Sequence, residues 1–196
     1  MTDGADAIAR HLRALADVAA ATAGELAQPV AGAADAVTRA IAAGGKVMFC
    51  GNGGSAADAQ HLATEYVVRF ARERPALAGL ALTTDTSLLT AAANDLGFER
   101  VFARQIEALG RPGDVLFLHS TSGESPNLVA AADAARAKGV RTVAMLARGG
   151  GALAPRVDLA IIVPTESSAH AQEIHLALGH AICAIVEERC GAAARE

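Results

Sequence analysis

Apolar positions follow two regimes along the chain, and the change falls at Lys46. Over residues 5–43 they recur at helical spacing in an Ala-rich segment, with Ile8, Leu12, Leu15 and Val18 or Ala19 on one stripe. Pro29 lacks an amide proton and crowds the preceding turn, so it predicts a break or restart; Gly44-Gly45 ends the second stretch. The expectation is an N-terminal helical hairpin over 1–45, for packing or oligomerisation, whose stripe needs a partner in the main body or another subunit. From Lys46 onward, short continuous apolar runs alternate with amphipathic stretches. KVMFC (46–50), LAGLALTT (77–84), DVLFLHS (114–120), RTVAML (141–146) and DLAIIVP (158–164) predict strands. Residues 55–69, 87–94, 100–109, 126–138 and 168–189 predict helices. Strands apolar throughout, alternating with helices, imply one α/β unit over 46–196 with a parallel sheet covered on both faces.

Such sheets bind ligands at the carboxyl ends of their strands, which directs attention to two loops. Gly51-Asn52-Gly53-Gly54-Ser55 follows the first strand and opens a helix, with Ser55 a good N-cap. Its glycines let the backbone approach a ligand, and the helix end presents N–H groups to an anion. The spacing is neither GxGxxG nor a Walker A loop, so the dinucleotide and nucleoside-triphosphate readings fail. The second loop, Ser120-Thr121-Ser122-Gly123-Glu124-Ser125, precedes Pro126, which suits the first turn of a helix. Its hydroxyls can wrap a phosphate without a lysine. Each loop alone also fits a plain structural turn. Two in corresponding positions predict a phosphorylated small-molecule ligand.

Charge and composition narrow the field. With 17 Lys+Arg against 21 Asp+Glu, the net charge of −4 argues against a general grip on nucleic acid. Cys50, Cys183 and Cys190 show no CxxC pairing, which predicts reduced thiols. The N-terminal MTDGADAIARHL carries acids where a signal peptide needs a basic start. No run approaches the roughly 20 apolar residues of a membrane span. The expectation is a soluble cytoplasmic protein without a membrane partner.

The candidate chemistry sits on two helices. Asp58, His61 and Glu65 follow the first loop, and the last two, four residues apart, lie about 40° from each other on one face. The final helix carries Gln172, Glu173, His175 and His180. Gln172 and His180 are about 80° apart around the axis and about 12 Å along it, so they meet only if the other helix or a second subunit comes between them. A surface ion pair at His61-Glu65 and a core histidine at His180 are the plain alternatives. Beside a sugar-phosphate site, a carboxylate and a histidine suit aldose–ketose isomerisation, which needs a base at the carbon next to the carbonyl and an acid at its oxygen. Two His, one Glu and one Gln also suit a metal with mixed N and O ligands. A metal-dependent hydrolase finds no water-activating base outside that ligand set.

GNGGSAADAQH (51–61), LTTDTSLLTAAAND (82–95), RPGDVLFLHSTSGESPN (111–127) and QEIHLALGH (172–180) resemble the bacterial phosphoheptose isomerases of the sugar-isomerase (SIS) domain superfamily, in order and spacing, from about Gly45 to Glu187. The resemblance implies a flavodoxin-like parallel sheet flanked by helices, with the N-terminal helical pair, and a homotetramer with sites at subunit interfaces. It implies conversion of the sugar-phosphate substrate sedoheptulose 7-phosphate to D-glycero-D-manno-heptose 7-phosphate through an enediol, the first step towards nucleotide-activated heptoses. It puts the phosphate against Ser55 and against Ser120, Thr121, Ser122 and Ser125, in a pocket shaped by Asn52, Gly53 and Gly54. It makes Glu65 the base and His180 the acid, places Arg69, Asn94 and Asp95 at the sugar, and assigns one zinc per site to His61, Glu65, Gln172 and His180.

A non-enzymatic relative that binds the replication initiator DnaA lacks the acid and the histidine matching Glu65 and His180; this chain keeps both. A regulatory sugar-phosphate-binding or initiator-binding protein is therefore the alternative. Three positions depart from the pattern. His170 stands where an arginine is usual, exchanging a permanent charge for a titratable ring. Glu124 replaces a neutral amide and reads as a structural cap. His119 replaces a small or aliphatic residue and reads as a packed strand-end histidine.

Overall fold

The computed structural model describes residues 4–193; residues 1–3 of the expected N-terminal unit and 194–196 of the expected sheet unit lie outside the described residues. The strands are β1 (Val47–Gly51), β2 (Gly79–Ala81), β3 (Val115–Ser120), β4 (Arg141–Leu146) and β5 (Leu159–Ile162). They pair in the order β2-β1-β3-β4-β5, every neighbour parallel. The helices are α1 (Gly4–Ala42), α2 (Gly54–Val67), α3 (Thr86–Leu96), α4 (Ala103–Leu109), α5 (Pro126–Ala137) and α6 (Ser168–Ala193).

Strand alternation sorts the core into two layers. Val47, Phe49, Val115, Phe117, Val143 and Met145 pack with α1, α2 and α6. Met48, Cys50, Leu116, Leu118, Ala144 and Leu146 pack with α3, α4 and α5. The strand expected over 77–84 shrinks to Gly79–Ala81, an edge strand paired only with β1. The helix expected over 100–109 is divided into a 3-10 turn, Phe98–Arg100, and α4. The three cysteines are free, and burial pushes the Cys50 and Cys183 thiols up, keeping them neutral.

The N-terminal hairpin is corrected: α1 is one helix of 39 residues with Pro29 inside it. An interior proline costs about 3 kcal/mol through its lost hydrogen bond and its clash with the preceding turn. Packing on both sides of Pro29 offsets that cost. Before it, Leu15 and Val18 pack against Ala171 and Ile174 of α6. After it, Val30, Ala33, Ala34, Val37 and Ala40 are buried in the core layer that holds Phe49 and Val186. The expected apolar stripe is thus covered only in part, since Ile8 and Leu12 stay exposed.

Candidate active site

The chain runs from β1 outward to β2 on one side, then crosses to β3 on the other. The reversal opens a crevice at the carboxyl ends of β1 and β3. Both loops singled out in the sequence border it. At the first, Gly53 caps α2 with φ +57°, a backbone conformation that favours glycine, so Ser55 is not the N-cap as expected but lies buried in the first turn. In the second, Ser120 Oγ accepts the Gly123 N–H at 3.0 Å, and Ser122 Oγ accepts the Glu124 N–H at 3.2 Å. Thr121 Oγ1 donates to Ser168 Oγ at 3.3 Å, and Ser125 stands at the start of α5 before Pro126. Gly123 has φ +69°, and a Cβ there would come within 2.0 Å of the Gly150 carbonyl oxygen. That approach seats the serine loop on the glycine turn after β4. Glu124 Oε1 accepts the Ala152 N–H at 3.0 Å, so this carboxylate caps the same turn.

A pair of amides ties the two loops together. Asn52 Nδ2 donates to Asn127 Oδ1 at 2.9 Å, and Asn127 Nδ2 donates to Asn52 Oδ1 at 2.8 Å. Asn127 is buried at the start of α5. Sequence reasoning gave it no role; its signal was a polar residue directly after the helix-opening proline, where a solvated side chain is equally common.

α2 and α6 run side by side in the same sense. The Gln172 amide lies against Gly54, and Leu62 against Gly179, where an added Cβ would come within 2.6 Å of the leucine methyl. This pairing brings His61, Glu65 and His180 together. His61 Nε2 is 2.8 Å from His180 Nε2 and 3.2 Å from Glu65 Oε1. One ligand atom from each of the three lies within 4.8 Å of the others. Bonds of about 2.0–2.1 Å to a tetrahedral ion place its ligand atoms about 3.3 Å apart. Two imidazole nitrogens and a carboxylate oxygen at this spacing are a donor set that fits a borderline divalent cation. Gln172 stands apart at the N-terminus of α2, seven residues or about 10 Å along the helix from His61. α2 touches Gln172 at Gly54 and His180 at His61, and the two side chains do not meet in the single chain.

The surroundings hold the cluster in place. The His180 ring stacks on Phe70 at a centroid distance of 5.4 Å. The chain turns sharply after α2, and Glu187 of α6 accepts the N–H groups of Phe70, Ala71 and Arg72 at 3.0, 2.9 and 2.9 Å. Arg74 Nε donates to the same carboxylate at 3.1 Å, while its Nη atoms donate to the Tyr66 and Glu65 carbonyls at 2.8 and 2.5 Å. Burial works against the Glu187 charge, but these donors outweigh it and hold the carboxyl below its ordinary range. The pair anchors the backbone of Glu65. Asp58, one turn before His61, is pushed up to about 6 by burial, against the pull of the imidazole, and its Oδ2 is buried without a partner. Beneath the cluster, His119 is fully buried and its pKa is lowered to about 3 by burial and by His175. Burial likewise lowers that of His175, although its ring nitrogen meets the Leu146 carbonyl at 3.0 Å.

Three expected sugar contacts lie elsewhere in the single chain. Arg69 is exposed after α2 and pairs with Glu73. Asn94 is exposed on α3 and donates to Asp95 Oδ1 at 2.7 Å, and Asp95 lines a cleft between α3 and α4. Among the described residues, no hydrogen bond or ion pair joins Arg69, Asn94 or Asp95 to either loop. No helix among the described residues is long and apolar enough to cross a membrane.

Known proteins share this fold. Residues 10–147 match the SIS domain family. Phosphoheptose isomerase from Rhodospirillum rubrum is 53% identical over 165 residues, covering 84% of this chain and 88% of the relative. The structure of phosphoheptose isomerase GmhA from Neisseria gonorrhoeae superposes with a TM-score of 0.89 at 40% identity, covering 93% of this chain and 98% of that one. That of a phosphoheptose isomerase from Francisella tularensis gives 0.92 at 34% identity, covering 95% and 100%.

Proposed function

The chain belongs to the phosphoheptose isomerase family of SIS-domain proteins, and we propose that it converts sedoheptulose 7-phosphate to D-glycero-D-manno-heptose 7-phosphate. The observation that carries this reading is the juxtaposition of two phosphate-type loops at the strand-order reversal with Glu65, His61 and His180 on α2 and α6. The phosphate binds between the α2 N-terminus (Asn52, Gly53, Gly54, Ser55) and the hydroxyls of Ser120, Thr121, Ser122 and Ser125. Glu65 takes a proton from C1 of the ketose while His180 delivers one to the carbonyl oxygen at C2, which yields the enediol. Glu65, its carboxyl proton exchanging with solvent while the enediol is bound, then delivers a proton to C2, and His180 recovers one from the oxygen on C1, leaving the aldehyde there. Oε1 of Glu65 faces His61, so Oε2 is the oxygen free for this transfer.

His61, Glu65, Gln172 and His180 hold one zinc per site in this reading, and the bound ion would polarise the substrate oxygens as a Lewis acid. The donor set of the three clustered side chains supports it. Gln172, which lies against Gly54 in the single chain, enters the set of a neighbouring subunit in this reading. Arg69, Asn94 and Asp95 reach the sugar in a cytoplasmic homotetramer with sites between subunits. Their exposure in the single chain supports that assembly, as do the exposed Ile8, Leu12, Val68 and Phe98. The product is the precursor of nucleotide-activated heptoses.

The test is carbon NMR of the full chain with sedoheptulose 7-phosphate, metal-stripped and then with zinc restored. The reading expects aldose 7-phosphate, and no turnover of unphosphorylated sedoheptulose. Binding without conversion in either state would instead assign the chain to the non-catalytic, initiator-binding kind of relative.

A further inference from the structure

A second cluster of metal-type ligands lies outside this site, where the N-terminal half of α1 crosses the start of α6. His11 on α1 faces His170 and Glu173, which are three residues apart and therefore on one face of α6. His11 Nδ1 is 3.3 Å from His170 Nε2, and His11 Nε2 is 3.4 Å from Glu173 Oε1. One ligand atom from each residue falls within 4.8 Å of the others. These separations are long for hydrogen bonds, whose N···O distances run to about 3.2 Å. They run from the two different nitrogens of the His11 ring, so either one, not both, can be an edge of a tetrahedral site with bonds of about 2.0–2.1 Å, whose edges are roughly 3.3 Å.

We propose that His11, His170 and Glu173 form a second divalent-cation site, taking zinc or a similar borderline ion, that clamps α1 to α6. The backbone is organised for it before any ion arrives. Leu15 and Val18, one and two turns beyond His11, are packed on Ala171 and Ile174, which fixes the helix crossing. The side chains of His11 and Glu173 are 46% and 42% exposed, so an ion and its completing water reach them from solvent. His11 gives up one of its two contacts on binding and contributes a single nitrogen. Two imidazoles and a carboxylate disfavour magnesium and calcium, which take oxygen ligands. The site depends on a histidine at position 170, where the resembling enzymes usually carry arginine, a residue that cannot ligate. On α6 the clamp residues His170 and Glu173 flank Gln172, on the stretch that faces the first loop.

Counting zinc tests this without reference to isomerase activity. The metal-stripped full chain is dialysed against zinc, and bound metal is measured by atomic absorption. His11→Ala is expected to bind one equivalent fewer than the parent chain. Glu173→Gln, which keeps the size and hydrogen bonding of the side chain, is expected to bind that equivalent at least tenfold more weakly. The double variant His61→Ala/His180→Ala keeps the equivalent, and zinc still raises its Tm. Zinc stoichiometry and affinity equal to the parent's in both His11→Ala and Glu173→Gln would overturn the proposal.

Discussion

Glu65 is the residue on which the proposed chemistry turns. Glu65→Gln preserves its volume and removes the base. We expect turnover to fall at least 10³-fold while substrate binding, measured by calorimetry, stays within a few-fold of the parent. Near-normal turnover would remove Glu65 from the role. The hydroxyls of the serine loop act differently. Ser122→Ala removes a partly exposed hydroxyl that the proposed function sets against the phosphate, and the expected effect is a rise in KM of about tenfold with kcat little changed. A change confined to kcat would contradict phosphate contact. The candidate site residues were legible because loops after strands and i,i+4 pairs are local patterns. Asn127, Arg74 and Glu187 were not, because each matters through a partner that is distant in sequence: Asn52 for the first, and one another for the other two. Glu124 could be read as a cap, but its partner at Ala152 could not.

Elements were predicted best where their period was unambiguous. The apolar runs at 46–50, 114–120 and 141–146 became the three central strands, because a strand buried on both faces has no polar positions to confuse it. α1 was misread because Pro29 is a local signal, while the packing of α1 along α6 that overrides it is not local. The pairing of α2 with α6 is likewise invisible in either helix alone, yet it sets the distance between His61 and His180. Gly179 permits that approach. Gly179→Val is expected to cost about 1–3 kcal/mol by overpacking against Leu62, read by urea denaturation, and to lower kcat more than it raises KM. The turn after α2 depends on Glu187. Glu187→Ala leaves Arg74, 3% exposed, without its partner, and the expected loss is about 3 kcal/mol. A loss below about 1 kcal/mol would show that the turn stands without that pair.

At the scale of the whole molecule, buried histidines give stability a pH dependence of known sign. His119 is held neutral when folded, its pKa lowered from 6.5 to about 3. Above pH 6.5 neither state binds the proton; below it the unfolded chain does and the folded chain does not, so stability falls as pH drops towards 3. Glu187, with its lowered carboxyl, adds a loss of the same sign at the acid end. His119→Phe is expected to flatten the decline between pH 6 and 4 by up to about 1.4 kcal/mol per pH unit, in chemical denaturation at each pH. An unchanged slope would show that the ring is protonated in the fold. Strand order was beyond reach of the pattern alone, since apolar runs do not say which neighbour each strand takes. The measurement that bears most directly on the account is proton NMR in deuterium oxide, comparing the parent chain with Glu65→Gln on sedoheptulose 7-phosphate. The account predicts that the parent forms aldose carrying deuterium at C2 and that the variant exchanges neither carbon. Equal exchange or equal turnover by both chains would contradict an enediol made by Glu65.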